Sequence, residues 1–122
     1  LLKDPQLEMP ERRQAAAAIW KKLADARPND AITASQVGDL MRQAELTDEA
    51  IAQYRRAIEL APEATQYREY LGEYFHSMKK PEHALGIWRE IASGNRRTAT
   101  NLARLAEVLA AFGYVAEAIE NN

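Results

Sequence analysis

Cysteine is absent from the sequence, so the chain can form no disulfide bond and offers no thiolate ligand for zinc. No apolar run approaches the roughly 20 residues that a membrane-spanning helix needs. The formal net charge of -2 is too small to attract nucleic acid or an anionic membrane. We therefore expect neither membrane insertion by this stretch of chain nor a nucleic-acid partner. The composition leaves the cellular compartment open.

Aromatic residues, glycine and proline are also scarce. Aromatic side chains make up 7% of the 122 residues, and there are 5 glycines and 5 prolines, most of them between helical patterns or at positions that demand a small side chain. Hydrophobic residues nevertheless make up 47% of the chain, which is typical of a helical protein packed through alanine. The composition therefore favours an all-α fold.

The sequence repeats itself at an interval of 34 residues. A set of small residues recurs at Ala16, Ala50, Ala84 and Ala118, and a set of large rings at Trp20, Tyr54 and Trp88. Apolar residues also recur at Val37, Leu71 and Leu105, each followed directly by Gly38, Gly72 or Ala106. A fixed period in this range is the signature of stacked structural repeats.

The repeat resembles the tetratricopeptide repeat (TPR) family, whose pattern is Trp-x2-Leu-Gly-x2-Tyr, then Ala-x3-Phe, then Pro. The central repeat matches this pattern at Val37, Gly38, Met41, Ala50, Tyr54 and Pro62. It departs from the pattern at Ala34, which stands where Trp is expected, and the next repeat departs from it at Arg68, in place of Trp, and at Arg96, in place of Pro. The resemblance implies a right-handed superhelical array of antiparallel helix pairs, that is, a TPR-like α-solenoid.

We predict a single TPR-like domain over residues 1–122. It consists of an N-terminal arm (1–10), a half repeat (11–30), two repeats (31–64 and 65–98) and a truncated repeat (99–122). Since the sequence does not begin with Met and ends inside a repeat, we expect it to be a fragment of a longer protein. Pro5 and Pro10 favour an extended arm. Asp30 and Thr47 are the expected N-caps of the two helices of the central repeat.

The small residues predict close contact between paired helices. Glycine inside a helix costs roughly 1 kcal/mol relative to alanine, so we expect close backbone approach to compensate for it. On this reasoning Gly38 faces Ala50, and Gly72 faces Ala84. The rings of Tyr54 and Trp88 are expected to fill the space between neighbouring repeats.

The family geometry implies that the first helix of each repeat lines a concave groove that binds a segment of another protein. The expected groove residues are Gln36, Asp39, Arg42, Gln43, Gln66, Glu69, Tyr70, Glu73, His76, Arg104 and Glu107. The acids among them predict a partner segment that carries Lys or Arg, with Tyr70 as an aromatic anchor. The alternative is that these side chains form ordinary solvated faces.

One version of the family grips the C-terminal carboxylate of a chaperone tail with lysine, asparagine and arginine side chains. The corresponding positions here are Ser35, Asp39, Glu69, Tyr70 and Glu73, and only Arg104 matches that version. Because acids repel a carboxylate, we expect no chaperone tail of this kind to bind.

Catalytic motifs find little support in the sequence. Glu73 and His76 have the Glu-x-x-His spacing of a di-iron helix, but such a site needs a second motif and further glutamates, which the sequence lacks. There is no phosphate-binding loop, nucleophile elbow or HExxH motif. We expect no catalytic residue, metal or cofactor, and a protein that is not an enzyme.

Three roles without catalysis stay open at this point. The first is an interaction module whose groove binds a protein or peptide segment, and the second is a structural spacer in a larger protein with no ligand of its own. The third is self-assembly into a homo-oligomer through the uncovered terminal helix.

Overall fold

The computed structural model describes residues 5–120, with side chains described for residues 11–119. This part of the chain contains seven α-helices and no strand, which confirms the all-α prediction. The helices are α1 (Pro5–Ala26), α2 (Ala31–Gln43), α3 (Thr47–Leu60), α4 (Gln66–Ser77), α5 (Pro81–Arg89), α6 (Ala99–Ala111) and α7 (Val115–Glu120). No helix in the described part combines the length and hydropathy needed to cross a bilayer.

The helices fall into two compact units. The first unit, Leu1–Ala61, contains α1, α2 and α3, and the second, Pro62–Asn122, contains α4 to α7. In each unit, helices joined by a short turn pack against each other as hairpins. The single-domain organisation and the repeat boundaries given above stay predictions.

Helix α1 corrects the prediction of an extended arm. It begins at Pro5, so residues 5–10 are helical and not extended. Pro5 occupies the first helical position, where proline is well tolerated. Pro10 lacks an N–H group, so the backbone bond to the Gln6 carbonyl is missing, and the proline ring crowds that carbonyl. Residues 1–4 of the expected arm, and residues 121–122 of the truncated repeat, lie outside the described residues.

The helix pairs α2–α3, α4–α5 and α6–α7 form the first, second and third hairpins. The turn inside each of them has the same backbone geometry, repeated every 34 residues. A residue with positive φ lies two positions after the first helix of each hairpin, at Glu45 (63°), Lys79 (60°) and Gly113 (92°). The second helix begins two positions later in every case, at Thr47, Pro81 and Val115. The turns therefore repeat in structure although their sequences differ.

Backbone hydrogen bonds hold these left-handed turns in place. In the second hairpin, the Lys79 N–H donates to the His76 carbonyl at 3.0 Å, and the Lys80 N–H donates to the Phe75 carbonyl at 3.0 Å. The bonds from 45 to 42 and 46 to 41, and from 113 to 110 and 114 to 109, follow the same scheme. This is the pattern of a Schellman cap, in which the last carbonyls of a helix are satisfied by the chain that leaves it.

The N-caps agree with the sequence in one case and not in the other. Asp30 caps α2, since its carboxylate accepts from the backbone N–H groups of Ile32 at 3.0 Å and Thr33 at 3.3 Å. Thr47 is the first residue of α3 and not its cap, so that prediction was wrong. The cap residue is Leu46, which has no side-chain acceptor. The hydrogen bonds of the preceding Schellman turn hold the backbone at the start of α3, which therefore begins without a side-chain cap.

The core of the first unit confirms the close approach at Gly38. A Cβ atom at this position would lie 3.2 Å from Tyr54 Cδ1 and 3.4 Å from the Ala50 carbonyl oxygen. Tyr54 and Ala50 are fully buried. Glycine is therefore the residue that lets the ring of Tyr54 lie against the backbone of α2.

At Gly72 in the second unit, the nearest neighbour is the ring of Trp88, and the approach to Ala84 stays a prediction. A Cβ atom at this position would lie 2.1 Å from Trp88 Nε1 and 2.4 Å from Trp88 Cδ1. The indole is fully buried, and it stacks on Phe112 with ring centroids 4.9 Å apart. The larger ring thus reaches further across the hairpin than alanine packing alone predicted.

The second hairpin ends with two short 3-10 turns, Glu90–Ala92 and Gly94–Arg96. Arginines replace the missing Trp and Pro of the family pattern here. Buried Arg68 donates from Nη1 to the Pro62 carbonyl at 2.7 Å and from Nε to Glu90 at 3.3 Å. Burial lowers the pKa of Arg68, and the charge of Arg96 lowers it further, while Glu90 opposes both.

Candidate functional site

The predicted groove residues lie on the first helices of the hairpins, and they fall into two groups. Helix α2 of the first unit carries Gln36, Asp39, Arg42 and Gln43. Helices α4 and α6 of the second unit carry Gln66, Glu69, Tyr70, Glu73, His76, Arg104 and Glu107. The structure brings five members of the second group together in one cleft. A single groove that includes both groups stays a prediction.

The cleft lies between α4 and α6 and has a volume of about 180 Å³. Its lining residues are Glu69, Tyr70, Glu73, Arg104, Glu107, Val108, Ala111 and Phe112. The residues from α6 are spaced by three and four positions, so they occupy one face of that helix. The cleft is therefore lined by apolar residues of the α6 segment together with acidic residues of both helices. We call this site the α4/α6 cleft.

Arg104 neutralises one acid of the cleft. Its Nε donates to Glu69 Oε2 at 2.8 Å and its Nη2 donates to Glu69 Oε1 at 2.5 Å, which is a two-point contact of a guanidinium with a carboxylate. These hydrogen bonds raise the pKa of Arg104 above its ordinary value. Arg104 Nη1 also lies 3.4 Å from Glu107 Oε1. Glu69 is therefore already paired, and it leaves little negative charge for a ligand.

Asp39 in the first unit is used in a similar way. The hydroxyl of Tyr54 donates to its carboxylate. Burial is the main cause that raises the pKa of Tyr54, and the hydrogen bond to Asp39 adds to it. Arg42 also contacts this hydroxyl and lowers the same pKa. Asp39 is thus already hydrogen-bonded to Tyr54 of the same chain, although the sequence predicted it as a groove residue for a partner protein.

Glu73 stands in the second unit where Asp39 stands in the first, 34 residues later, and its situation is different. The ring opposite it is Trp88, which has no hydroxyl group. The indole Nε1–H instead donates to the backbone carbonyl of Glu69 at 3.4 Å. Glu73 is exposed and has no hydrogen bond or ion pair among the described residues. It is therefore the carboxylate of the cleft that stays available to a ligand.

Tyr70 lies beside Glu73 as an exposed ring at the rim. Its side chain is 40% exposed, and it contacts Tyr67 edge to face with centroids 6.2 Å apart. This contact holds the ring against α4 while one face stays accessible. A ring of this kind offers a large contact area at low entropic cost.

A second depression adjoins the C-terminal end of α4. It is lined by His76, Ser77, Lys79, Pro81 and Tyr114, and its volume is about 570 Å³. We call it the turn depression, because the left-handed turn at Lys79 forms one of its sides. His76 Nδ1 lies 3.3 Å from the Tyr114 hydroxyl.

Sequence reasoning missed Lys79 and Tyr114, because both lie outside the first helices to which the family geometry assigns the groove. The 34-residue interval was the signal that could have found them, since they belong to the turns at its recurring positions. Gln66 lies at the start of α4 and lines neither depression. Among the described residues, no group of three or more His, Cys, Asp or Glu side chains is arranged to hold a metal ion.

The fold agrees with that of a known repeat protein. The sequence matches no protein-family model and no curated protein. Among solved structures it is similar to the crystal structure of MamA, a TPR-containing protein, with a TM-score of 0.56 and 19% sequence identity over 99% of this chain and 71% of MamA. The chain therefore has a TPR-like all-α repeat fold.

Proposed function

We propose that this protein is an interaction module, without catalytic activity, whose α4/α6 cleft binds a segment of a partner protein that carries Lys or Arg. The observation that supports this most directly is Glu73, an exposed carboxylate with no partner among the described residues, in a cleft that Val108, Ala111 and Phe112 also line. The aliphatic stem of Lys or Arg packs on such apolar side chains while its charged end reaches the acid. Tyr70 adds an aromatic contact at the rim.

The test uses a labelled ten-residue peptide of serine and alanine that carries one leucine and one lysine, with a lysine-to-glutamine peptide as the reference. Fluorescence anisotropy measures the affinity of both. We expect the lysine peptide to bind more tightly, and Glu73→Lys to weaken it by roughly tenfold, because the substitution places like charges together.

Glu59→Lys is the matched control. Glu59 is exposed on α3 and lies outside the cleft, and the substitution changes the net charge by the same amount. If both variants weaken binding equally, the effect comes from net charge and the proposal is wrong. If neither peptide binds, the chain has no such site, and the spacer role is favoured.

A second candidate function is self-association through α7. Val115 and Ile119 lie four residues apart on this helix and are 57% and 70% exposed, so they form an apolar patch on one helical face. Sedimentation velocity tests this role. A dimer that Val115→Ser together with Ile119→Ser converts to a monomer would support it, whereas a monomer at all concentrations would exclude it.

A further inference from the structure

The α4/α6 cleft and the turn depression share the same face of α4. Glu69, Glu73 and Ser77 follow each other at steps of four residues, so they form one stripe along the helix. Glu69 and Glu73 line the cleft, and Ser77 lines the turn depression. The two sites are therefore successive along one surface.

Aromatic rings also connect the two sites. Phe112 lines the cleft and Tyr114 lines the turn depression. His76 contacts both rings, with centroids 5.0 Å from Phe112 and 5.9 Å from Tyr114. A chain that leaves the cleft past Phe112 thus comes next to the side chains of the turn depression.

The two sites differ in charge. The cleft offers the available carboxylate of Glu73, with Glu107 beside it. The turn depression offers the ammonium group of Lys79 and the hydroxyl of Tyr114, and it has no carboxylate among its lining residues. The surface is therefore negative at one end and positive at the other.

We propose that this surface recognises a two-charge motif in an extended partner segment, a Lys or Arg followed or preceded at two to three residues by an Asp or Glu. This inference rests on the proposed function of the cleft. Ser77, which lines the turn depression, lies four positions after Glu73 on α4, about 6 Å along the helix axis, and Lys79 follows in the left-handed turn. An extended chain covers about 6 Å in two residues, and a third residue allows for the step from Ser77 to Lys79. The basic residue pairs with Glu73, and the acidic residue pairs with Lys79.

The test compares three peptides that are equal in length. The first carries lysine alone, the second carries lysine and a glutamate three positions away, and the third carries lysine directly followed by glutamate. Exposed ion pairs add modestly to affinity, so we expect the second peptide to bind about threefold more tightly than the first. The third, whose charges are too close to span the surface, gains nothing.

Variants of the protein identify the group that senses the acid. We expect Lys79→Gln to remove the advantage of the second peptide and to leave the affinity for the first unchanged. Lys80→Gln is the matched control, because Lys80 is an exposed neighbour with the same charge that does not line the depression. Circular dichroism confirms that both variants are folded.

The outcomes separate this inference from the proposed function. If the lysine peptide binds through Glu73 while the added glutamate has no effect, the two-charge motif is wrong and the interaction module stands. If Lys80→Gln acts like Lys79→Gln, a general positive field is responsible and the motif is again wrong. If no peptide binds, both proposals fail.

Discussion

The hairpins α2–α3 and α4–α5 have the same turns and the same spacing of small and large residues, but they differ in one buried ring. Tyr54 donates its hydroxyl hydrogen to Asp39. Trp88, at the equivalent position, donates instead to a backbone carbonyl, and Glu73 keeps its carboxylate exposed. The two surface acids look alike in the sequence, and the buried ring behind them decides whether each one is available. A core substitution can thus change the charge that a repeat offers at its surface.

The largest expected effect is that of removing the ring from the second hairpin. Trp88→Ala should lower the free energy of unfolding by about 3–5 kcal/mol, because the fully buried indole leaves a cavity. Urea denaturation followed by circular dichroism measures the change. A midpoint equal to that of the wild-type protein would contradict the packing described for this hairpin.

The two hairpin glycines should respond differently to alanine. At Gly72 the new Cβ would lie 2.1 Å from the indole of Trp88, and overpacking of this kind costs about 1–3 kcal/mol. At Gly38 the nearest atom is 3.2 Å away, so a small shift of Tyr54 relieves the contact. The higher helix propensity of alanine, worth up to roughly 1 kcal/mol, then offsets the cost.

Thermal unfolding of the two alanine variants measures this difference. We expect Gly72→Ala to lower the melting temperature and Gly38→Ala to leave it nearly unchanged. Adding Trp88→Tyr to Gly72→Ala should reduce the effect of the alanine, because the smaller ring is the one that tolerates it in the first hairpin. Equal losses at both glycines would show that ring size does not matter.

The hydrogen bond of the first hairpin can be removed without changing its packing. Tyr54→Phe deletes the hydroxyl that Asp39 accepts from, and we expect a loss of about 1 kcal/mol. Because Asp39 is exposed, water can replace the lost hydrogen bond, so the loss of stability stays small. Urea denaturation measures the loss, and Asp39→Asn in the Tyr54→Phe background should then have no further effect on stability.

The turns offer a smaller contrast between the hairpins. Lys79 has φ of 60° where the third hairpin has Gly113, and a left-handed conformation costs roughly 1–2 kcal/mol for a residue with a Cβ. Lys79→Gly relieves that strain but adds entropy to the unfolded chain, so we expect a net gain of about 0.5 kcal/mol. We expect Gly113→Ala, in contrast, to lower the stability. Both are measured by thermal unfolding, and a loss of stability in Lys79→Gly would contradict this account.

The smallest effect concerns pH and the caps. Hydrogen bonds from Thr33 lower the pKa of Asp30. A carboxyl whose pKa is lowered by folding adds stability above its unfolded pKa of about 3.9, and this stability is lost as the pH falls through the folded pKa. We expect the stability difference between wild type and Asp30→Asn to be constant above that range and to shrink below it. Thr98, which caps α6 with a neutral hydroxyl, is the control, because the effect of Thr98→Ala should not depend on pH.

The sequence predicted the elements that depend on spacing. Because a recurring interval reflects a recurring backbone, it indicated the hairpins and the close approach at Gly38, while the residue type of Asp30 indicated the cap of α2. It could not indicate that Gly72 meets the Trp88 indole, since that depends on how far one side chain reaches. It also missed the helix through Pro10, because proline disfavours the helix interior without excluding it.

The candidate site was predictable only as a set of residues. Glu69, Tyr70, Glu73, Arg104 and Glu107 do line one cleft, as helical periodicity on α4 and α6 suggested. Which acids are already paired was not predictable, because the contact of Arg104 with Glu69 and that of Tyr54 with Asp39 connect different helices. The sequence gives charge and face, whereas pairing depends on three-dimensional distances of a few ångströms.

The left-handed turn has a consequence for how such repeats diversify. Its geometry is set by two backbone hydrogen bonds, so the residue at its apex is free to be Glu45, Lys79 or Gly113. Each repeat therefore carries one outward position whose side chain can vary while the helices around it keep their arrangement. A substitution there, natural or engineered, can reverse the charge of the side chain at the turn and leave the helices unchanged.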